Sequence, residues 1–328
     1  MTGNKNKTSG INVLSLCDGM SCGHIALDKA GIKVNKYFAA EIKEIAIKVT
    51  KENYPGTIHI GDVNKVTYKD GVLYTENGDY KTDIDIVMFG SPCQSFSRAM
   101  ITKRKIGLDD KERSGLFYEC YRILKEVNPR YFLMENVVMK ASDEAIISEL
   151  LGVQPIRINS SLVTAQLRDR YYWTNIPNVT IPEDKNISLQ DILINGYTPC
   201  NKGRCLCKND SHGYYNGCNW TPIKRFHRFY YKSFGTMVFP SREYFENCVS
   251  ITKEILDGRK SAAKYYDNYA GNDFDKARYL WKEERAKLQS VPIEYIKNLS
   301  EQEAADVLGD GWTVDVIAHI LNFIKIDG

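Results

Sequence analysis

The chain has 328 residues, a net charge of +3 and 26% charged residues. That length suits one large domain or a core with a smaller companion. No apolar run is long enough to cross a bilayer, and the polar, lysine-bearing start, residues 1–10, lacks the apolar stretch of a secretory signal and reads as a disordered lead. Nine cysteines is an odd number, which favours free thiols in a reducing, intracellular setting over a disulfide framework.

From residue 11 to 177 strand-like and helix-like segments alternate. Residues 12–16 read as a first strand, and a helix begins at Gly23. A second strand is predicted over 34–40, a helix over 43–53 and a short third strand over 57–60. Residues 66–80 hold two turn signals, Asp70-Gly71 and Asn77-Gly78, and read as an inserted hairpin. A fourth strand follows at 84–89. The spacing of Leu116, Cys120, Ile123 and Leu124 predicts a helix over 116–126. A fifth strand, 131–134, is expected to end at Glu135-Asn136. A helix over 144–151 precedes an antiparallel edge pair, 156–159 with 171–174. This alternation predicts an α/β fold, a Rossmann-like doubly wound sheet. It stops near residue 178, and helical order returns at 276–287 and 315–323. The expected division is a core of residues 11–177 and 276–328, with a small irregular module at 178–275.

Two clusters of residues carry chemistry. Asp18-Gly19-Met20-Ser21-Cys22-Gly23 joins the first strand to the first helix, where glycines let the backbone lie close to a ligand at a helix start. Glu41 ends the second strand, where an acid can bind ribose hydroxyls. Gly61-Asp62-Val63 ends the third, where an Asp can accept from an adenine amino group. The second cluster is Gly90-Ser91-Pro92-Cys93-Gln94-Ser95-Phe96-Ser97, a cysteine on a Pro-stiffened turn past a buried strand. Such a thiol faces the cleft at the strand ends. Glu135-Asn136 ends the neighbouring strand. In Gln166-Leu167-Arg168-Asp169-Arg170 two arginines alternate, which on an extended segment aims both the same way.

These motifs resemble those of the DNA cytosine-5 methyltransferases. The resemblance covers residues 11–177 and 276–324 and implies the methyltransferase fold, with S-adenosylmethionine as cofactor, S-adenosylhomocysteine as product and duplex DNA as partner. It implies that Asp18, Gly19, Met20, Gly23, Glu41, Asp62, Val63 and Trp312 line the cofactor pocket. Trp312, in Gly311-Trp312-Thr313, matches the family's final motif. Cys17 stands where most members carry a Phe. Cys93 is implied as the nucleophile that adds to cytosine C6. Glu135 would hold the base at N3 and its amine. Arg170 would contact the base and Glu135, and Arg168 would lie near the nucleophile and favour its thiolate. The base must be extruded from the duplex, and Arg98, Lys103, Arg104 and Lys105 suit a loop closing on the backbone. Glu283-Glu284-Arg285 fits the family's ninth motif, a structural brace.

Residues 198–232 hold seven lysines or arginines against one aspartate, interleaved with aromatics, at the family's target-recognition position. Cys200, Cys205, Cys207, His212 and Cys218 lie here too, but not in the paired spacing of zinc knuckles, and no metal is expected. Residues 116–140, 172–175 and 308–312 look most like the animal de novo methyltransferases. The intact Gln166-x-Arg168 pair is closer to phage and bacterial members, so a stand-alone enzyme of that type is the expectation. The alternatives are a tRNA cytosine-5 methyltransferase, whose branch carries Cys-Phe-Thr where this chain has Ser95-Phe96-Ser97, and a silent DNA-binding homologue.

Overall fold

The apolar segments of the first half assemble as one sheet in a computed structural model that describes residues 10–91, 115–206, 214–215, 218–219, 221–256, 266 and 269–325. In chain order the elements of the first half are β1 (Ile11–Leu16), α1 (Cys22–Lys29), β2 (Val34–Ala40), α2 (Glu44–Asn53), β3 (Ile58–His59), β4 (Thr67–Lys69), β5 (Val72–Thr75), β6 (Gly78–Lys81), β7 (Ile86–Phe89), α3 (Gly115–Val127), β8 (Tyr131–Val137), α4 (Ala141–Leu151), β9 (Ile156–Asn159), β10 (Gln166–Leu167) and β11 (Asp169–Thr174). The sheet order is β3-β2-β1-β7-β8-β11-β9. The first five strands in that order run parallel, and β11 is antiparallel to both β8 and β9. The chain moves from β1 to β2 and β3 on one side, then returns to lay β7 on the other. The crevice between the carboxyl ends of β1 and β7 is therefore the switch point where α/β sheets bind ligands.

Side-chain character accounts for these elements. Every residue of β7 and β8 is buried, as expected of central parallel strands covered on both faces. Helix α3 turns Phe117, Cys120, Ile123 and Leu124 onto the sheet. They join Leu14, Leu16, Phe38, Val87, Phe89, Phe132, Met134 and Trp173 in one core. Helix α4 stops at Gly152, whose φ of 72° provides the left-handed cap.

The inserted segment is a three-stranded meander rather than a hairpin. Both turn signals operate: Asp70-Gly71 turns β4 into β5, and Asn77-Gly78 turns β5 into β6. The fifth core strand also runs further than its apolar stretch, because Tyr172, Tyr171 and Arg170 of β11 pair with Glu135, Asn136 and Val137.

The chain divides into two units: Met1–Asn159, Asp169–Glu183 and Gly311–Gly328 in the first, Ser160–Arg168 and Asp184–Asp310 in the second. The second contains α5 (Leu189–Ile192), β12 (Gly203–Arg204), β13 (Tyr214–Tyr215), β14 (Cys218–Asn219), α6 (Pro222–Lys232), β15 (Met237–Val238), α7 (Arg242–Leu256), β16 (Arg278–Tyr279), α8 (Lys282–Leu288) and α9 (Glu301–Asp310), after which α10 (Val314–Leu321) returns to the first. Residues 276–310, expected with the core, thus lie in the second unit. The cause is buried Glu284, which accepts from the Ile194 and Trp281 N–H groups and ion-pairs with Arg278 at 2.7 Å. Strand β16 also pairs with β15 there. The predicted helix over 276–287 becomes a short strand followed by α8. The module expected to be irregular contains α6 and α7, whose Ile223, Phe226, Phe229, Cys248 and Leu256 form its own core with Phe239 and Phe274. No helix among the described residues is long and apolar enough to cross a membrane.

Candidate active site

The turn after β1 is held in an unusual backbone shape. Cys17, Gly19 and Ser21 all have positive φ, at 53°, 61° and 57°. Only Gly19 adopts that region freely, so the other two require external ties. Asp18 supplies them. Its carboxylate accepts from the Tyr37 hydroxyl at 2.8 Å and from the Ser21 hydroxyl, which also lies 3.0 Å from Thr50 Oγ1. Burial pushes the Asp18 carboxyl up to about 6, against the hydroxyl hydrogen bonds that pull it down. Tyr37 is held in turn by His24, whose ring stacks between Tyr37 at 4.4 Å and Tyr54 at 3.7 Å.

Glu41 joins this turn to the end of β2. One carboxylate oxygen accepts from the Gly19 N–H at 2.8 Å, and the other from the N–H groups of Ile42 and Lys43, both at 2.8 Å. Asp62 caps the 3-10 turn Val63–Lys65, accepting from the Asn64 N–H at 2.9 Å and its side-chain amide at 2.8 Å. Met20 and Val63 are buried. A Cβ added to Gly19 would meet no heavy atom within 4 Å, so the loop opens onto free space there.

Trp312 closes the crevice from the C-terminal side. Its Nε1 stands 2.7 Å from where a Cβ on Gly90 would lie, and its Cζ3 is 3.4 Å from one on Gly23. The indole thus spans the end of β7 and the first turn of α1. The carboxyl ends of four neighbouring parallel strands accordingly present Asp18 and Gly19, Glu41, Asp62 and Gly90. Free space at Gly19 beside an aromatic wall and carboxylates fits a cofactor with hydroxyls, an amino group and a flat base. Cys17 packs against the core beside Cys120, whose thiol this contact and burial push well up.

Strand register sets the second cluster. Phe89 pairs with Met134, so Glu135 lies level with the start of the loop that leads to Cys93. Asn136 holds Ser91, its amide donating to Ser91 Oγ at 3.1 Å. Cys93 itself, with Arg98, Lys103, Arg104 and Lys105, lies outside the described residues. Glu135 is 8% exposed and ion-pairs with Arg170, Nε to Oε1 at 2.8 Å. That contact is close without hydrogen-bond alignment, so Oε1 keeps accepting capacity.

The two arginines do not share one extended segment. Leu167 pairs with Arg204 in β10–β12, whereas Asp169 pairs with Asn159 in β9–β11, and Arg168 falls at the break between them. Arg168 belongs to the second unit, is 4% exposed and points Nη1 at Cys205 Sγ, 3.4 Å away. Gln166 is buried in the same unit, donating to the Leu288 carbonyl and accepting from the Leu206 N–H, both at 3.0 Å. The side chains of Cys207, His212 and Cys218 lie outside the described residues. Sequence reasoning named Gly90 and Asn136 within their motifs without giving either a partner, and it missed Tyr37 and Glu76, which carry no local signal.

Residues 11–145 match the family model described as C-5 cytosine-specific DNA methylase. The type II methyltransferase M.NlaIV of Neisseria lactamica is 38% identical over 112 residues, 34% of this chain and 23% of that protein. The orphan methyltransferase M.Rho11sI of Bacillus phage rho11s is 30% identical over 190 residues, 54% of this chain and 35% of its own length. The chain thus spans well under two thirds of these curated relatives. Among solved structures, a DNMT2 variant of Spodoptera frugiperda superposes with a TM-score of 0.62 at 20% identity, covering 95% of this chain and 99% of that one. That likeness establishes the fold, a Rossmann-like α/β sheet.

Proposed function

We propose, from the match of residues 11–145 to the C-5 cytosine-specific DNA methylases, that this chain transfers a methyl group from S-adenosylmethionine to carbon 5 of a flipped-out cytosine in duplex DNA. The observation that carries the reading is Glu135, buried at the end of β8, paired with Arg170 and level with Gly90, three residues before Cys93 in the chain. Cytosine C5 is a weak nucleophile. A thiolate from Cys93 adding at C6 makes C5 enamine-like, and loss of the C5 proton later expels the thiolate. Glu135 holds the base at N3 and the exocyclic amine, which thymine cannot match. Arg170 fixes the Glu135 carboxylate and contacts the base. Arg168, enclosed with Cys205, acts as a positioning residue for the 166–170 segment.

S-adenosylmethionine, when bound, supplies an electrophilic methyl group and leaves as S-adenosylhomocysteine. Glu41 would take its ribose, Asp62 its adenine amine, and Asp18, Gly19, Met20, Gly23, Val63 and Trp312 its remaining surface. The second unit is proposed as the target-recognition module, with the basic face of α6 toward DNA. The relatives' bacterial and phage sources favour an intracellular setting.

The test measures transfer of labelled methyl to duplex DNA and, in parallel, to small RNA, with Cys93→Ala as the blank. Label at cytosine C5 of DNA, lost in Cys93→Ala while DNA still binds, is the expected result. Label only in RNA moves the chemistry to an RNA substrate. No label in either, or full turnover by Cys93→Ala, overturns the reading.

A further inference from the structure

We infer that Glu76, on the inserted meander, is a positioning residue for the Asp62 turn and sets the affinity of the adenosyl pocket. The inference rests on the cofactor reading above. Glu76 sits in the β5–β6 turn, outside the βα repeat that builds the sheet. One of its oxygens accepts from the Asp62 N–H at 2.7 Å, and the other pairs with Lys65 Nζ at 2.5 Å. The same turn donates from the Asn77 amide to the His59 carbonyl at 3.0 Å. The meander is thus joined to the end of β3 and both ends of the following turn.

Gly61 makes this approach possible. A Cβ there would lie 2.0 Å from the Glu76 Oε1, and its φ of 81° is one that side-chain-bearing residues rarely adopt. The other side of the meander is anchored on α3. Glu126 accepts from the Tyr68 N–H at 2.9 Å, and Arg122, held by Glu119 and Glu126, donates to the Val66 carbonyl at 2.8 Å. A continuous line of bonds therefore runs from α3 through the meander to Asp62. Lys65 beside Glu76 and the Asp62 N–H hold the Glu76 carboxyl below the ordinary range, so it is charged at neutral pH. Asp62 uses Oδ1 to hold Asn64 within the turn, while its own N–H is held from the meander by Glu76, so Glu76 sets how the turn stands.

The experiment compares wild type, Glu76→Ala and Glu76→Gln by calorimetric titration with S-adenosylhomocysteine, steady-state kinetics and thermal melting. Glu76→Ala is expected to weaken binding by about tenfold and to raise KM for S-adenosylmethionine in parallel, with kcat within about twofold. Glu76→Gln keeps an acceptor for the Asp62 N–H and recovers most of the affinity. Wild-type affinity in a folded Glu76→Ala protein overturns the inference, as does a fall in kcat at constant KM. If Glu76→Ala does not fold, Glu76→Met, which keeps the bulk of the side chain and removes the acceptor for the Asp62 N–H, takes its place: weakened binding supports the inference and wild-type affinity overturns it. Failure of wild type to bind S-adenosylhomocysteine instead overturns the cofactor reading.

Discussion

Asp18 is a carboxylate kept in place against a desolvation penalty, and its hydroxyl partners Ser21 and Tyr37 offset only part of it. The sign of the pH effect follows. Its folded value, about 6, exceeds the ordinary 3.8, so the fold favours the protonated form. The stability this gives is complete below the unfolded value and is lost as pH rises through the folded one. Between about pH 4 and pH 7, Asp18→Asn should gain on wild type by roughly 2 kcal/mol, discounted for partial exposure. Paired urea melts across that range test this. A difference independent of pH would show that the Asp18 carboxyl carries no such penalty. Using the difference also removes His24, which burial pushes down and which acts in the opposite direction.

At the scale of an element, α6 shows what a pattern can hide. Its Pro222 at the first turn and its buried Ile223, Phe226, His227 and Phe229 are ordinary helix features. The segment nevertheless reads as irregular in sequence, because aromatic and histidine residues are weak helix formers and the stretch before it is rich in Gly, Asn and Cys. Tertiary burial decides the matter. Lys224, Arg228 and Lys232 then fall four residues apart on one face, and the helix carries no acid. Replacing Lys224 and Lys232 by Gln should flatten the plot of log affinity for duplex DNA against log salt by about 1.8, at about 0.9 per phosphate contact. Anisotropy titrations at several salt concentrations measure the slope. An unchanged slope would remove α6 from the proposed DNA face. The core elements were far more legible: β1, β2, β7 and α3 appear where hydrophobic runs and spacing put them. Residues whose role depends on distant partners were not. Asn136 and Glu76 look like any loop or strand-end polar group until Ser91 and Asp62 are brought beside them.

Across the whole molecule the first unit is built from three separate stretches of chain. The last of them is short but buries Val314, Val316, Ile317, Ile320 and Leu321. At about 1.5–3 kcal/mol for each large aliphatic side chain, their loss would rival the typical total stability of a domain, about 5–15 kcal/mol. Deletion after Asp310 should therefore abolish cooperative melting of the core and the binding of S-adenosylhomocysteine. Retention of both in the truncated chain would mean that α10 and Trp312 are dispensable. Sequence alone placed this return to the core at residue 276 instead of 311, because nothing local shows that Glu284 is committed to Ile194 and Arg278.

The same interleaving constrains how the second unit could be exchanged. It consists of a nine-residue piece, Ser160–Arg168, and a long one, Asp184–Asp310. Gln166 in the short piece holds Leu206 and Leu288 in the long one, and Lys202 of the long piece donates to the Ser161 and Thr164 carbonyls of the short. A chimera that borrows only the long piece from another protein would give Gln166 foreign partners and leave the Ser161 and Thr164 carbonyls without Lys202. Exchanging the second unit is therefore a two-segment operation, and the short segment ends one residue before the strand that carries Arg170.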